Sequence, residues 1–180
     1  RNKISAIGGA DTAIPAGAKI IDATGKTIMP GLVEMHGHVD CCYGTGSVPQ
    51  KQPTRFAELA FGVTTTFDPY STEQSTYERT EAQEAGVIVS PRWIGSGLVM
   101  YGRSRKADYT FVPIKTYADA QAALARKKAM GGIAIKSYKQ PFRYQRQMLV
   151  KAAREQGIMV AVEGESHYYN NISMLLDGHT

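Results

Sequence analysis

The chain has 180 residues, of which 43% are hydrophobic and 21% are charged, and it carries a formal net charge of +5 at pH 7. These values are typical of one ordinary globular domain and exclude wholesale disorder. The 21 basic residues are spread along the chain rather than gathered in a block, which argues against a nucleic-acid partner. Because no apolar run reaches the ~20 residues that cross a bilayer, we also expect no membrane partner.

The opening segment, residues 1–30, is rich in turns and short apolar stretches. These stretches predict small strands at Ile4–Ile7, Ala18–Ile21 and Thr27–Met29. Asp22–Gly25 supplies a turn between the last two. The pattern of apolar residues changes after this segment, so we treat residues 1–30 and 31–180 as separate parts of the chain.

Residues 31–180 alternate apolar runs of strand length with segments of helical period, which is typical of the βα units of a parallel sheet. The predicted strands are Gly31–Met35, Gly62–Phe67, Val87–Ile94, Ile133–Lys136 and Ile158–Glu163, and the predicted helices are Thr54–Ala60, Glu73–Ala85, Thr116–Met130, Arg143–Gln156 and Asn170–Leu176. Thr116 with Asp119 predicts a capped helix start, and Gly86 and Gly157 predict helix ends. A long loop, Gly95–Pro113, follows the third strand, and such loops are often functional.

Five βα units are compatible with two α/β folds, an open doubly wound sheet and an incomplete (β/α)8 TIM-type barrel. A full barrel needs ~250 residues, so residues 31–180 have room for about five of its eight units. No glycine-rich phosphate loop follows the first predicted strand, which disfavours a nucleotide-binding sheet.

Two histidines, His36 and His38, end the first predicted strand. Side chains in a strand alternate between faces, so both imidazoles project to the same side. Neutral imidazole nitrogens are good metal ligands, and barrel enzymes place their sites at the carboxyl ends of strands. The pattern predicts a metal-binding pair, and the alternative is two unrelated surface histidines.

Predicted strands four and five each end with an ionisable residue, Lys136 and Glu163, aimed at the interior. A buried lysine is costly unless it is paired, deprotonated or modified. The structural alternative to a metal role for Lys136 is an ion pair with Glu163 or Asp68. Glu163 is equally compatible with metal ligation and with a role as a satisfied interior carboxylate, and Asp68 with support of a ligand or with loop capping.

Candidates of lower specificity follow the predicted strands. His167 lies just past the fifth strand and is a candidate metal ligand, with a solvated loop histidine as the alternative, and His179 is a weaker candidate of the same kind. Tyr101, Arg103 and Arg105 lie in the long loop and are candidate substrate-binding residues, since arginine suits a carboxylate. The alternative for the loop is a solvated basic surface.

These residues lie in motifs that resemble those of the amidohydrolase superfamily. The run Ala18–His38 closely resembles the entry to the barrel in that superfamily, and Gly62–Pro69 is similar to its second strand. The resemblance implies a (β/α)8 barrel that uses one or two divalent metals, most commonly zinc, to activate water. It also implies that residues 1–30 form part of a small β-sandwich and that residues 31–180 form the N-terminal part of the barrel.

The resemblance assigns roles to single positions. His36 and His38 match the first-strand metal ligands, and Lys136 matches the position of a carboxylated lysine that bridges two metals. The family usually has a histidine in the fifth strand, but this chain has Val162–Glu165 there, so a carboxylate from Glu163 would replace an imidazole.

The last part of the chain, Val160–Thr180, resembles a branch of the family found as the barrel portion of larger proteins with a TolB propeller. The histidine of strand six and the general-base aspartate of strand eight lie beyond Thr180 in this resemblance. We therefore expect the chain to be a fragment of a longer enzyme.

The resemblance implies a metal-dependent hydrolase that acts on an amide or other non-peptide C–N bond of a small-molecule substrate. The alternatives are a dipeptidase or prolidase-like peptidase of the same superfamily and an inactive barrel fragment with a structural role. A partial barrel leaves unpaired strand edges, so we expect a homo-oligomer or a complementary segment of a longer chain as partner.

Overall fold

A computed structural model describes residues 3–38, 52–102, 111–138, 140, 142–163 and 167–179. The chain divides into two compact units, Arg1–Pro30 and Gly31–Thr180. The candidate site residues all belong to the second unit, which contains every helix and strand in the described part of the chain.

The first unit consists of turns and extended segments. No strand is present in residues 3–30, so the three small strands predicted there are wrong for this structure. Their isoleucines are exposed, and the backbone hydrogen bonds between residues of this unit close turns, so these segments lack the paired neighbour that defines a strand. The turn at Asp22–Gly25 is confirmed, with Lys26 N donating to Ala23 O at 2.9 Å. The β-sandwich stays a prediction.

The second unit is an α/β structure with parallel strands, as the alternating pattern predicts. Its strands are β1 (Leu32–Glu34), β2 (Val63–Asp68), β3 (Arg92–Gly95), β4 (Val99–Tyr101), β5 (Phe111–Pro113), β6 (Ala134–Ser137) and β7 (Met159–Val162), and its helices are α1 (Pro53–Ala60), α2 (Glu73–Glu84), α3 (Tyr117–Ala129), α4 (Arg143–Gln156) and α5 (Tyr168–Asp177).

The strands form two parallel sheets, of order β1-β2-β3 and β5-β4-β6-β7. Only residues 96–98 separate β3 from β4, so two strands that follow each other closely in the chain belong to different sheets. Backbone bonds from Ser96 N to Asp68 O (2.9 Å) and from Tyr138 N to Met100 O (3.0 Å) extend the two pairings beyond the strands themselves. In the first sheet β1, β2 and β3 lie side by side in chain order, and in the second sheet β4, β6 and β7 do the same. Neighbouring strands of a (β/α)8 barrel also follow one another along the chain.

The structure corrects the prediction for the region between α2 and α3. The third strand begins at Arg92 rather than Val87, because Val87 N and Ile88 N donate to Ala82 O and close the end of α2. The predicted loop Gly95–Pro113 contains β4 and β5. These strands are three residues long, too short for an alternating pattern to be recognised in the sequence.

The helix signals in the sequence are confirmed at α3 and α4. Thr116 and Asp119 form a capping box at the start of α3, and Gly157 ends α4 with a left-handed φ of 68°. Gly86 likewise follows α2 with a φ of 73°. Within the described residues, no helix is long and apolar enough to span a lipid bilayer.

The hydrophobic core lies between the second sheet and helices α3 and α4. Leu124, Ile135 and Leu149 have no exposed surface, and burial of each such side chain contributes about 1.5–3 kcal/mol. Ile135 packs in this core, so its neighbour Lys136 projects to the opposite face of β6. The core thereby fixes the strand that carries Lys136 and, through the pairing of β6 with β7, the strand that precedes Glu163.

Candidate metal centre

The two histidine rings follow β1 directly. Their centroids are 4.9 Å apart and their planes are nearly perpendicular, at 84°. The backbone N–H of His36 donates to Glu34 Oε1 at 2.8 Å, which fixes the turn that ends the strand. The side chains of His36 and His38 are 44% and 34% exposed, so both rings are accessible to a solute.

A buried carboxylate lies behind His38. Asp68, at the end of β2, has no exposed side-chain surface, and its Oδ1 is 3.1 Å from His38 Nδ1 and accepts from Tyr70 N at 2.9 Å. Burial raises the pKa of Asp68, while the bonds from Tyr70 and His38 oppose that rise. A carboxylate on Nδ1 orients an imidazole and leaves its Nε2 as the lone-pair nitrogen that a metal requires.

Lys136 and Glu163 meet His36 from two further strands. Lys136 is 3% exposed, its Nζ forms an ion pair with Glu163 Oε2, and it lies 3.5 Å from His36 Nε2. Glu163 Oε2 is 4.0 Å from the same histidine nitrogen. The Lys136–Glu163 ion pair that the sequence allows is therefore present, and it is in contact with one of the two histidines.

Electrostatics favour the neutral form of His36. Burial lowers the pKa of its ring, and the positive charge of Lys136 and the neighbouring His38 lower it further. A neutral imidazole is the form that binds a metal, since its lone pair is free.

The residues present fit a divalent metal in chemistry. Two imidazoles and one carboxylate are donors of the kind that zinc prefers, and Asp68 Oδ2 is buried without a hydrogen-bond partner in the described part of the chain. Their present arrangement is not that of a bound metal, because no three His, Cys, Asp or Glu side chains in the described ranges are grouped to hold one. The Lys136 ammonium, in contact with His36 and Glu163, is the cation of this cluster.

The remaining histidines belong to the ends of α5. His167 is exposed and precedes the helix, where its carbonyl accepts from Asn170 N and Asn171 N at 3.1 Å. His179 is 5% exposed and its Nδ1 is 2.9 Å from Met174 O. No described contact joins either ring to the cluster around Lys136, so the ligand role of His167 stays a prediction from the sequence and is not part of the centre at His36 and His38.

The predicted substrate residues have mixed outcomes. Tyr101 is not on an exposed loop but at the end of β4, where it is 8% exposed. Met100 beside it is 1% exposed and part of the core. Arg103 and Arg105 lie outside the described residues, so the substrate role of this segment stays a prediction.

Sequence reasoning missed two tyrosines next to the cluster. The ring of Tyr70 lies edge-on to His38, with centroids 6.2 Å apart and an interplanar angle of 88°. The ring of Tyr138 has its centroid 5.3 Å from Lys136 Nζ. Each tyrosine is two positions after a site residue, Asp68 or Lys136, but both lie past the end of their strand, where alternation no longer fixes the direction of a side chain.

No protein-family model matches the sequence, and no curated protein matches it. Solved structures are similar in fold. A candidate prolidase from Bifidobacterium longum superposes with a TM-score of 0.71 at 25% identity, over 94% of this chain and 43% of that one. A Xaa-Pro dipeptidase with bound methionine gives 0.63 at 16% identity (83% and 46%), and ochratoxinase from A. niger gives 0.60 at 15% identity (84% and 46%).

The chain therefore spans a little under half the length of these three structures. At such identities the likeness concerns the fold, which is an α/β fold shared with proteins named as hydrolases.

Proposed function

We propose that this chain is the N-terminal part of a (β/α)8 metal-dependent hydrolase that acts on an amide or other C–N bond. The observation that carries the proposal is the meeting of His36, Lys136 and Glu163, with His38 beside them, from the carboxyl ends of three parallel strands. Parallel α/β proteins place their sites at that end. The names prolidase and dipeptidase among the similar structures, and the resemblance to the amidohydrolase superfamily, support the choice of reaction.

His36, His38 and Glu163 would hold the metal, with Lys136 as the further ligand. A bound divalent metal lowers the pKa of water and polarises a carbonyl group. Asp68 orients the His38 ring, and the lowered pKa of His36 keeps that ring unprotonated. The superfamily resemblance implies that the Lys136 ammonium would lose two protons as Nζ adds CO2, one to free the amine and one from the new N–C bond's nitrogen, which would change its charge from positive to negative and end the ion pair with Glu163.

Hydrolysis of substrate would need a longer protein than this chain. The general-base aspartate is expected outside this chain, so we propose that the chain alone binds metal but does not hydrolyse substrate. Within the described residues β7 pairs with β6 and β1 pairs with β2, each on one side. A complementary segment or a second copy of the chain would cover these edges.

A peptidase that acts on dipeptides is the second candidate. The names of the Bifidobacterium longum protein and of the Xaa-Pro dipeptidase favour it. A panel of dipeptides, N-acyl amino acids and cyclic amides, offered to the longer protein, separates the two reactions by the substrate with the highest kcat/KM.

The metal assignment is tested by zinc content. Bound metal is removed from the chain with a chelator, and the chain is then reloaded with zinc and desalted. Its zinc content is measured by inductively coupled plasma mass spectrometry for the wild type and for the His36→Ala/His38→Ala double variant. We expect about one zinc per chain in the wild type and loss of most of it in the double variant, since both imidazoles would be removed. His167→Ala is the matched histidine control and should keep its zinc.

Equal zinc content in the wild type and the double variant would refute the assignment. Loss of zinc in His167→Ala alone would move the centre to the start of α5. Circular dichroism of each variant confirms that the comparison is made between folded chains.

A further inference from the structure

Two half-buried aromatic rings lie beside the candidate metal centre, each next to a different residue of it. Tyr70, after β2, lies edge-on to His38 at a centroid distance of 6.2 Å. Tyr138, after β6, has its ring centroid 5.3 Å from Lys136 Nζ. The charged groups of the centre are thus bordered by apolar ring surface.

The ring of Tyr138 is supported from behind. Tyr101, 8% exposed in β4, has its centroid 5.8 Å from that of Tyr138, with 33° between the planes. Because β4 pairs with β6, the strand that precedes Tyr138, the support is part of the sheet. The ring of Tyr138 therefore packs against a buried ring of the neighbouring strand.

A second pair of aromatic rings lies at the start of α4, which follows β6 in the chain. Phe142 and Tyr144 stack with centroids 5.6 Å apart and planes 13° from parallel, and they are 58% and 53% exposed. The start of α4 follows the carboxyl end of β6, so this pair lies at the same end of the sheet as Lys136. The Lys136 ammonium beside Tyr138 is paired with Glu163, so a neutral side group suits this part of the site better than an anionic one.

We propose that Tyr70 and Tyr138 are specificity-determining residues that bind a flat, aromatic side group of the substrate next to the scissile C–N bond. This inference rests on the proposed function for the bond that is cleaved. Aromatic rings pair edge-to-face or offset-stacked, and binding sites for small molecules are lined mostly by apolar and aromatic surface with few polar groups. Tyr101 is a positioning residue that acts through Tyr138.

The test compares two amides that differ only by a phenyl group, N-acetyl-L-phenylalanine amide and N-acetyl-L-alanine amide. Their dissociation constants are measured by ligand-observed NMR titration of the full 180-residue chain, with and without zinc. We expect the wild type to prefer the phenylalanine amide by at least about tenfold, as burial of a phenyl ring against aromatic surface allows.

The variants separate ring packing from other effects. Tyr70→Leu and Tyr138→Leu replace the ring by a smaller aliphatic side chain and should each reduce the preference at least about threefold. Tyr138→Phe keeps the ring and should retain the preference. Tyr101→Leu should reduce the preference only through Tyr138, so it should add nothing in a Tyr101→Leu/Tyr138→Leu double variant. Phe61→Ala is the control, because Phe61 is 83% exposed and ends α1, at the opposite end of the sheet.

The inference fails if the wild type shows no preference, if Tyr138→Phe loses it, or if Phe61→Ala reduces it as much as the tyrosine variants do. Zinc content measured on the same samples distinguishes this failure from that of the proposed function. A chain that binds no zinc but loses its aromatic preference in Tyr138→Leu would overturn the metal proposal alone. A chain that binds zinc without the preference would overturn this inference alone.

Discussion

Among single residues, Asp68 has the most specific task, because it is a fully buried carboxylate whose contact is the imidazole of His38. Burial raises its pKa, so the ionised form costs folding free energy. We infer that this carboxylate is retained, despite its cost in folding free energy, because it orients the His38 ring. The same position would add little to stability if it served only to cap the loop after β2.

Asp68→Asn tests this role. The amide keeps the shape and the bond from Tyr70 but removes the negative charge behind His38. We expect zinc affinity, measured by competition with a chromogenic chelator, to fall by about 10–100-fold, the usual effect of losing such a support. The melting temperature should stay the same or rise, since an uncharged group is cheaper to bury. Unchanged affinity together with lower stability would show a purely structural aspartate.

The sequence predicted those site residues that lie inside a strand or at its end. Alternation alone indicates that His36 and His38 act together and that Lys136 and Glu163 project to one interior. Tyr70 and Tyr138 were missed because they lie past the strand ends, where the sequence gives no pattern for the direction of a side chain. The contact between Asp68 and His38 depends on the pairing of two strands, which local sequence does not contain.

At the scale of elements, the docking of α5 on α4 depends on Asp177. Its side chain is 2% exposed and accepts from Arg143 Nη2 at 2.8 Å and from Gln147 Nε2 at 3.1 Å, with Arg146 Nη2 at 3.5 Å. Burial acts to raise the pKa of Asp177, but the bonds from Arg143 and Gln147 outweigh it and hold the pKa below the ordinary value. The ionised form therefore stabilises the folded chain.

Asp177→Asn should lower stability in a pH-dependent way. A depressed pKa contributes stability that is present above the unfolded pKa of about 3.9 and is lost as the pH falls through the folded pKa. We expect the variant to melt about 2–4 °C below the wild type at pH 7, the shift that ~1 kcal/mol produces in a domain of this size. The difference should shrink below pH 4. Glu81→Gln, an exposed acid on α2, is the matched control and should melt like the wild type at both pH values.

A difference in melting temperature that persists unchanged at low pH would show that packing rather than charge joins the two helices.

The helix bounds themselves were largely predictable, because caps such as Thr116 and Gly157 are local signals. The short strands β4 and β5 were not predictable, since their three residues each are defined by pairing with distant partners.

At the scale of the whole molecule, the alternation of strand-length and helical segments in the sequence predicts a parallel α/β fold. It does not predict whether the strands close into a barrel. The described strands of each sheet are parallel, and the chain matches 43% of the Bifidobacterium longum structure and 46% of the Xaa-Pro dipeptidase. Several large apolar side chains of α5 are exposed, among them Leu175 at 64% and Leu176 at 76%. An apolar helix face of this kind is what a complementary segment or a second copy would cover. The β-sandwich predicted for residues 1–30 depends on partners that local sequence does not specify.

One metal ion held by the imidazoles of His36 and His38 would give a characteristic X-ray absorption spectrum at the zinc edge of the zinc-loaded chain. We expect a shell of nitrogen and oxygen ligands at about 2.0–2.2 Å with the outer scattering of imidazole rings, and its loss in the His36→Ala/His38→Ala variant. A sulfur shell near ~2.3 Å, as from Cys41 or Cys42, or a spectrum unchanged in that variant, would contradict it.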